Sequence, residues 1–126
     1  MPFVKIFMRD GKSQEYKRAI GDAIHSALTS EANVPSDDRF QVFVNLREGE
    51  MIAHPSYGGV TRSAELVIVE ITLNGGRTVE VKKALYSAIA KHLEKDPGLR
   101  ADDLLVSLVE VTKENWSFGG GRATYA

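Results

Sequence analysis

The chain has 126 residues, enough for one domain with a modest core, and its hydrophobic (43%) and charged (26%) fractions are those of an ordinary globular protein. A formal net charge of −1 supplies no attraction to nucleic acid or to an anionic membrane. The lack of cysteine excludes disulfides, thiolate metal sites and cysteine nucleophiles, and no apolar run reaches membrane-span length, so a cytoplasmic location is expected.

The chain opens MPFVKIFM, an apolar run expected to form a strand from Phe3 to Met8. Pro2 fits the head of a strand, where no ladder N–H is required. Loss of Met1 would also give Pro2 a secondary amine, which can exchange protons where an amide cannot. A turn at Gly11 leads to Ser13, a helix N-cap candidate, and to a helix whose apolar stripe is Tyr16, Ala19, Ile20, Ala23, Ile24, Ala27 and Leu28. Pro35 is expected to mark the end of that helix, and a second strand follows at about Phe40 to Arg47.

The same order then recurs. Aligning Gly11 with Gly76 lays GKSQEYKRAIGDAIHSAL on GRTVEVKKALYSAIAKHL, and DDRFQVFV (Asp37–Val44) on DDLLVSLV (Asp102–Val109), without a gap. The second copy reads as a strand LVIVEITL, a turn at Gly75-Gly76, an N-cap at Thr78, and a helix with Val81, Ala84, Leu85, Ala88, Ile89 and Leu93. Pro97-Gly98 breaks that helix, and a strand at about Leu104 to Val111 closes the copy. The chain is a duplication: repeat 1 over about 2–47, a connection over 48–65, repeat 2 over about 66–112 and a C-terminal aromatic and glycine segment over 113–126.

Each strand–helix–strand unit implies a parallel pair with a right-handed crossover. The expectation is therefore an α/β (α+β sandwich) fold, with two tandem βαβ repeats forming a four-stranded mixed sheet and both helices on one face. Phe40, Val42, Val44, Leu46, Leu105, Val109 and Val111 would then line a bare face, which favours an oligomer. The connection from Glu48 to Arg62 is too long for a tight hairpin, which argues against a ferredoxin-like alternative.

Duplicated halves share what the fold needs, so their differences point to function. Pro2 is matched by Val67 and Arg39 by Leu104, while Lys12 and Arg77 hold the same strand-to-helix turn. Such a turn, with free N–H groups and a fixed cation, suits a carboxylate. A pseudo-two-fold axis makes the first strand antiparallel to the third and brings Pro2 near Arg77. The mirrored site pairs Lys12 with Val67, which has no amine, so one site per chain follows. Trp116 and Phe118, in NWSFGGGRATY, have no counterpart in the first copy and suit either a wall of a small cavity or a subunit contact. His25, His54 and His92 form no metal site by spacing.

The initiating Met-Pro, the duplication, VPSDDRF (Val34–Phe40), GGRTVEVKKAL (Gly75–Leu85) and ENWSFGGG (Glu114–Gly121) resemble the tautomerase superfamily over essentially the whole chain. The resemblance is greatest to its malonate semialdehyde decarboxylase-like branch. It implies a tautomerase/MIF-like fold, a homotrimer with inward-facing sheets, no cofactor and no metal. It also implies an amino-terminal proline acid or base at Pro2, with Asp38 and Arg77 as further catalytic residues. Arg39, Trp116 and Phe118 would bind substrate. Some decarboxylases of this branch carry two arginines in the turn before the second helix, where this chain has Gly75.

The function expected is keto–enol isomerisation of a small 2-keto acid by neutral Pro2, with Arg77 holding the carboxylate. The alternatives are a decarboxylase-like lyase using protonated Pro2 as acid or iminium former, and a non-catalytic trimeric binding module. Asp38 has a competing turn role, because Asp103 holds the equivalent place.

Overall fold

A computed structural model describes residues 1–125; the final residue of the C-terminal segment, Ala126, lies outside the described residues. The elements are β1 (Phe3–Arg9), α1 (Gln14–Glu31), β2 (Gln41–Leu46), β3 (Val67–Asn74), α2 (Val79–Lys95) and β4 (Leu104–Val111), with short 3-10 turns at Ala101–Asp103 and Lys113–Asn115. They form one sheet in the order β2-β1-β3-β4. β1 is parallel to β2, β3 is parallel to β4, and the two central strands are antiparallel. This is the architecture expected of two tandem βαβ units.

Alternation decides which face of the sheet is covered. Val4, Ile6 and Met8 of β1 and Val67, Val69, Ile71 and Leu73 of β3 point to the helices and are buried. They meet Ile20, Ile24, Ala27 and Leu28 of α1 and Leu85, Ile89 and Leu93 of α2. Each Val, Ile, Leu and Met side chain among them contributes about 1.5–3 kcal/mol when removed from water, which makes this layer the main source of stability. Ser13 and Thr78 cap the helices as expected, their hydroxyls accepting from the N–H groups of Tyr16 at 3.1 Å and Val81 at 3.2 Å.

Both helices end by left-handed backbone at matching positions, Asn33 (φ 58°) after α1 and Gly98 (φ 97°) after α2. The end of α1 therefore differs from the expectation that placed it at Pro35. The helix stops at Glu31, and the N–H groups of Ala32 and Val34 turn back to Leu28 O. An asparagine supplies the left-handed turn that Gly98 supplies in the second copy.

The opposite face is bare. Phe40 (51% exposed), Val42, Leu105 and Val109 lie open on it. At its centre Lys5 and Glu70 stand directly across the β1–β3 pair, with Nζ 3.6 Å from the carboxylate. No helix among the described residues is long and apolar enough to cross a membrane.

Candidate active site

The antiparallel β1–β3 register opposes Phe3 to Thr72, so the amino terminus lies beside the end of β3 and the turn into α2. Arg77 stands in that turn and is held firmly. Its Nε and Nη2 donate to Ala32 O at 3.2 and 2.8 Å, and its Nη1 donates to Asn74 O at 3.0 Å. A guanidinium carries five N–H donors, so each terminal nitrogen keeps one for a ligand.

The third element is the turn from Pro35 to Asp38. Asp38 is buried, and its Oδ2 lies 3.8 Å from the Met1 amine, while its Oδ1 has no hydrogen-bond partner among the described residues. Burial is the main cause that raises the Asp38 pKa; the terminal amine and His25 oppose the rise, and Asp37 adds to it. Burial likewise lowers the pKa of the Met1 amine, with Arg77 adding to the fall and Asp38 resisting it. Both groups are thus moved toward their uncharged forms. Pro2, the next residue, is buried at the head of β1.

The second repeat shows what this arrangement looks like when it serves structure alone. Asp103, the counterpart of Asp38, is fully buried and fully paired. Its carboxylate accepts from Ser63 N–H at 2.6 Å, Ser63 Oγ at 2.7 Å and Arg100 Nη1 at 3.1 Å. Burial pushes the Asp103 pKa up, but the Ser63 bonds and the Arg100 charge outweigh it and the net direction is down. In the first repeat the group that faces the corresponding carboxylate is the Met1 amine, 3.8 Å from Asp38 Oδ2. The mirrored cation, Lys12, is taken up by the Glu65 carboxylate and lies 5.0 Å from the centre of the Tyr16 ring.

A cavity of about 330 Å³ lies between Phe3, residues 40–42 at the start of β2 and residues 116–118 of the C-terminal segment; Pro2, Asp38 and Arg77 do not line it. Trp116 and Phe118 stack with ring centres 5.5 Å apart, and Phe118 stacks on Phe40 at 6.2 Å. Trp116 Nε1 donates to Asn74 Oδ1 at 2.7 Å, which fixes the aromatic wall to the end of β3.

Of the six residues singled out in the sequence, the structure groups Pro2, Asp38 and Arg77 at one end of the sheet and joins Trp116 and Phe118 to them through Asn74. Arg39 is not brought into that group. It faces α1, where Nη2 binds Asp22 at 2.7 Å and Nε binds Gln41 at 3.2 Å. A Cβ on Gly21 would stand 2.5 Å from Gln41 Oε1 and 3.2 Å from Arg39 Nη2, so that glycine leaves the room this pair needs. Asn74 is the residue that sequence reasoning missed. Its counterpart in the first repeat is Arg9, an asymmetry of the same kind as those followed.

Two family profiles, each for a tautomerase enzyme, match residues 38–119 and 2–60. The chain belongs to the tautomerase family. This tautomerase chain is 41% identical over 123 residues to the probable tautomerase YusQ of Bacillus subtilis (strain 168), covering 98% of this chain and 97% of that one. It is 31% identical to the probable tautomerase YrdN of the same organism, over 99% of this chain and 96% of that one. Among solved structures it is similar to FG41 malonate semialdehyde decarboxylase inhibited by 3-bromopropiolate, at 33% identity and a TM-score of 0.90, covering 98% and 93% of the two chains. A fused 4-OT symmetric trimer, at 22% identity and a TM-score of 0.78 over 95% and 94% of the chains, shares the fold.

Proposed function

We propose that removal of Met1 makes Pro2 the general base of a cofactor-independent tautomerase acting on a small 2-keto acid. The observation that carries this reading is the setting of the amino terminus. The Met1 amine, partly buried beside a fixed guanidinium, is driven below the ordinary α-amine value of about 8, and a Pro2 amine freed at the buried next position would meet the same two causes. In its neutral form the amine can accept a proton.

In this scheme the Pro2 nitrogen takes a proton from the carbon next to the ketone. The C–H electron pair moves to form the C=C bond of the enolate, and the oxygen takes the negative charge. Protonated Pro2 then returns its proton to oxygen, or to another carbon of the conjugated system. Arg77 binds the substrate carboxylate through the N–H groups not used on Ala32 and Asn74, and its charge offsets that of the enolate. Asp38 accepts a hydrogen bond from the protonated proline and orients it. Trp116 and Phe118 keep water from the reacting carbon. Arg39, neutralised by Asp22, plays no direct part in this scheme. The bare sheet face is covered by neighbouring copies in a homotrimer, a reading supported by its exposed Phe40, Val42, Leu105 and Val109.

A second reading is favoured by the 33% identity to a malonate semialdehyde decarboxylase. Here protonated Pro2 polarises the carbonyl of a 3-oxo acid, or the neutral amine adds to it and, with loss of water, forms an iminium. The bond to the carboxylate breaks as carbon dioxide leaves, and its electron pair forms a C=C bond to the carbonyl carbon. The π pair of the C=O or C=N bond moves onto oxygen or nitrogen, and the resulting enol or enamine takes a proton at the carbon that held the carboxylate. Assaying Met1-processed protein for ketonisation of phenylenolpyruvate and for carbon dioxide release from malonate semialdehyde separates the two. The tautomerase reading predicts the faster rate on the enol and loss of that rate in Pro2→Ala. A rate untouched by Pro2→Ala rejects both schemes.

A further inference from the structure

Asn74 binds two parts of the site at once, through different atoms. Its backbone carbonyl accepts from Arg77 Nη1 at 3.0 Å, and its side-chain Oδ1 accepts from Trp116 Nε1 at 2.7 Å. The indole N–H can only donate, so the side-chain atom facing it must be the amide oxygen. Trp116 in turn stacks within 13° of parallel on Phe118, which stacks within 19° of parallel on Phe40. One residue at the end of β3 therefore ties the cation to the first ring of an aromatic stack.

We infer that Asn74 is a positioning residue that sets the separation between the carboxylate held by Arg77 and the apolar group held against Trp116. The inference rests on the reading of Arg77 as carboxylate clamp and extends it to substrate choice. Arg77 is anchored by Ala32 O as well as by Asn74 O, and both contacts are to backbone. Replacing the Asn74 side chain with an uncharged one that cannot accept thus leaves the clamp in place and releases the indole alone. Trp116 lies in an otherwise exposed segment, with Asn115, Ser117 and Phe118 on either side. Its backbone N–H donates to Lys113 O, but a missing indole N–H partner leaves the ring itself to its stacking on Phe118. A substrate with a ring or a branched chain needs both ends fixed together; one no larger than pyruvate needs only the clamp.

The test uses Asn74→Leu, which keeps the size and removes the acceptor, and Asn74→Asp, which keeps the acceptor. Trp116 is the chain's one tryptophan, so its fluorescence reports this contact without any substrate. Asn74→Leu is expected to shift the emission and raise acrylamide quenching, while Asn74→Asp retains the wild-type signal. With phenylenolpyruvate, Asn74→Leu should raise KM by about 3- to 10-fold, the loss of one hydrogen bond, with kcat less affected. With the enol of pyruvate KM should stay within about twofold, as an unbroken clamp requires. Asn74→Asp should raise KM for both substrates, because it places a carboxylate beside Arg77. Unchanged fluorescence in Asn74→Leu overturns the inference, and so does an equal rise in KM for the large and the small substrate in that same variant. If wild-type protein ketonises neither enol, the tautomerase reading fails, and the fluorescence of the two variants still decides whether Asn74 holds Trp116.

Discussion

Replacing Asp103 with alanine removes three hydrogen bonds to a fully buried carboxylate, at 2.6, 2.7 and 3.1 Å. Bonds to a charged group contribute about 1.5–3 kcal/mol each, and water can satisfy part of what Ser63 and Arg100 lose, so the net cost is about 3 kcal/mol. For a domain of this size the melting midpoint should fall by about 10 °C. The matching change, Asp38→Ala, removes a buried carboxylate whose Oδ1 has no partner among the described residues. Its stability effect should stay below about 1 kcal/mol. Thermal and urea unfolding of the two variants measure the contrast directly. The pH dependence adds a sign. Asp103 has a lowered folded pKa, so its stabilisation is present above the unfolded value and disappears as pH falls through the folded one. Asp38 has a raised folded pKa, so its ionisation weakens the fold as pH rises through that value. Asp38→Ala should gain on wild type from mildly acidic pH upward, whereas Asp103→Ala should lose least in acid. In activity the order reverses, with Asp38→Ala losing at least about tenfold in kcat. Equal destabilisation by the two substitutions would refute the division of labour between the twin aspartates.

Arg77→Ala should raise KM for carboxylate substrates by about 10- to 100-fold, the loss of one or two charge-assisted hydrogen bonds. It also removes a cation that lowers the terminal amine, so the limb of the pH–rate profile that reports this base should move to higher pH. Ile89→Ala empties a fully buried position between α2 and the sheet, and urea unfolding should show a loss of about 2–5 kcal/mol. Phe118→Ala breaks the stack between Trp116 and Phe40 and should raise KM for an aryl-substituted enol more than for a small one, as steady-state kinetics can show.

The two helices, the four strands and their order were legible because the duplication presents each pattern twice. Val67 to Asn74 alternates buried and half-buried residues, and its antiparallel pairing with β1 follows from the symmetry of two parallel units. The early end of α1 was not legible. Asn33 carries weaker turn information than Gly98, and Pro35 drew attention to the wrong residue. In the site, the placement of Arg77 near the amino terminus followed from strand direction alone. The fate of Arg39 did not, because its partner Asp22 sits on a helix and nothing in the local sequence says which face of β2 a charged residue near its start will take. Asn74 escaped notice because its side chain and its carbonyl act on residues from different segments, one of them outside both repeats.

The account turns on the protonation of the Pro2 amine in processed protein. Labelling proline with nitrogen-15 and following the amino-terminal resonance against pH measures that directly. The account predicts loss of the proton below the ordinary α-amine value of about 8, and a higher midpoint in Arg77→Ala. An amine that keeps its proton well above that value, or one still acylated by Met1 in protein from its native host, would contradict it.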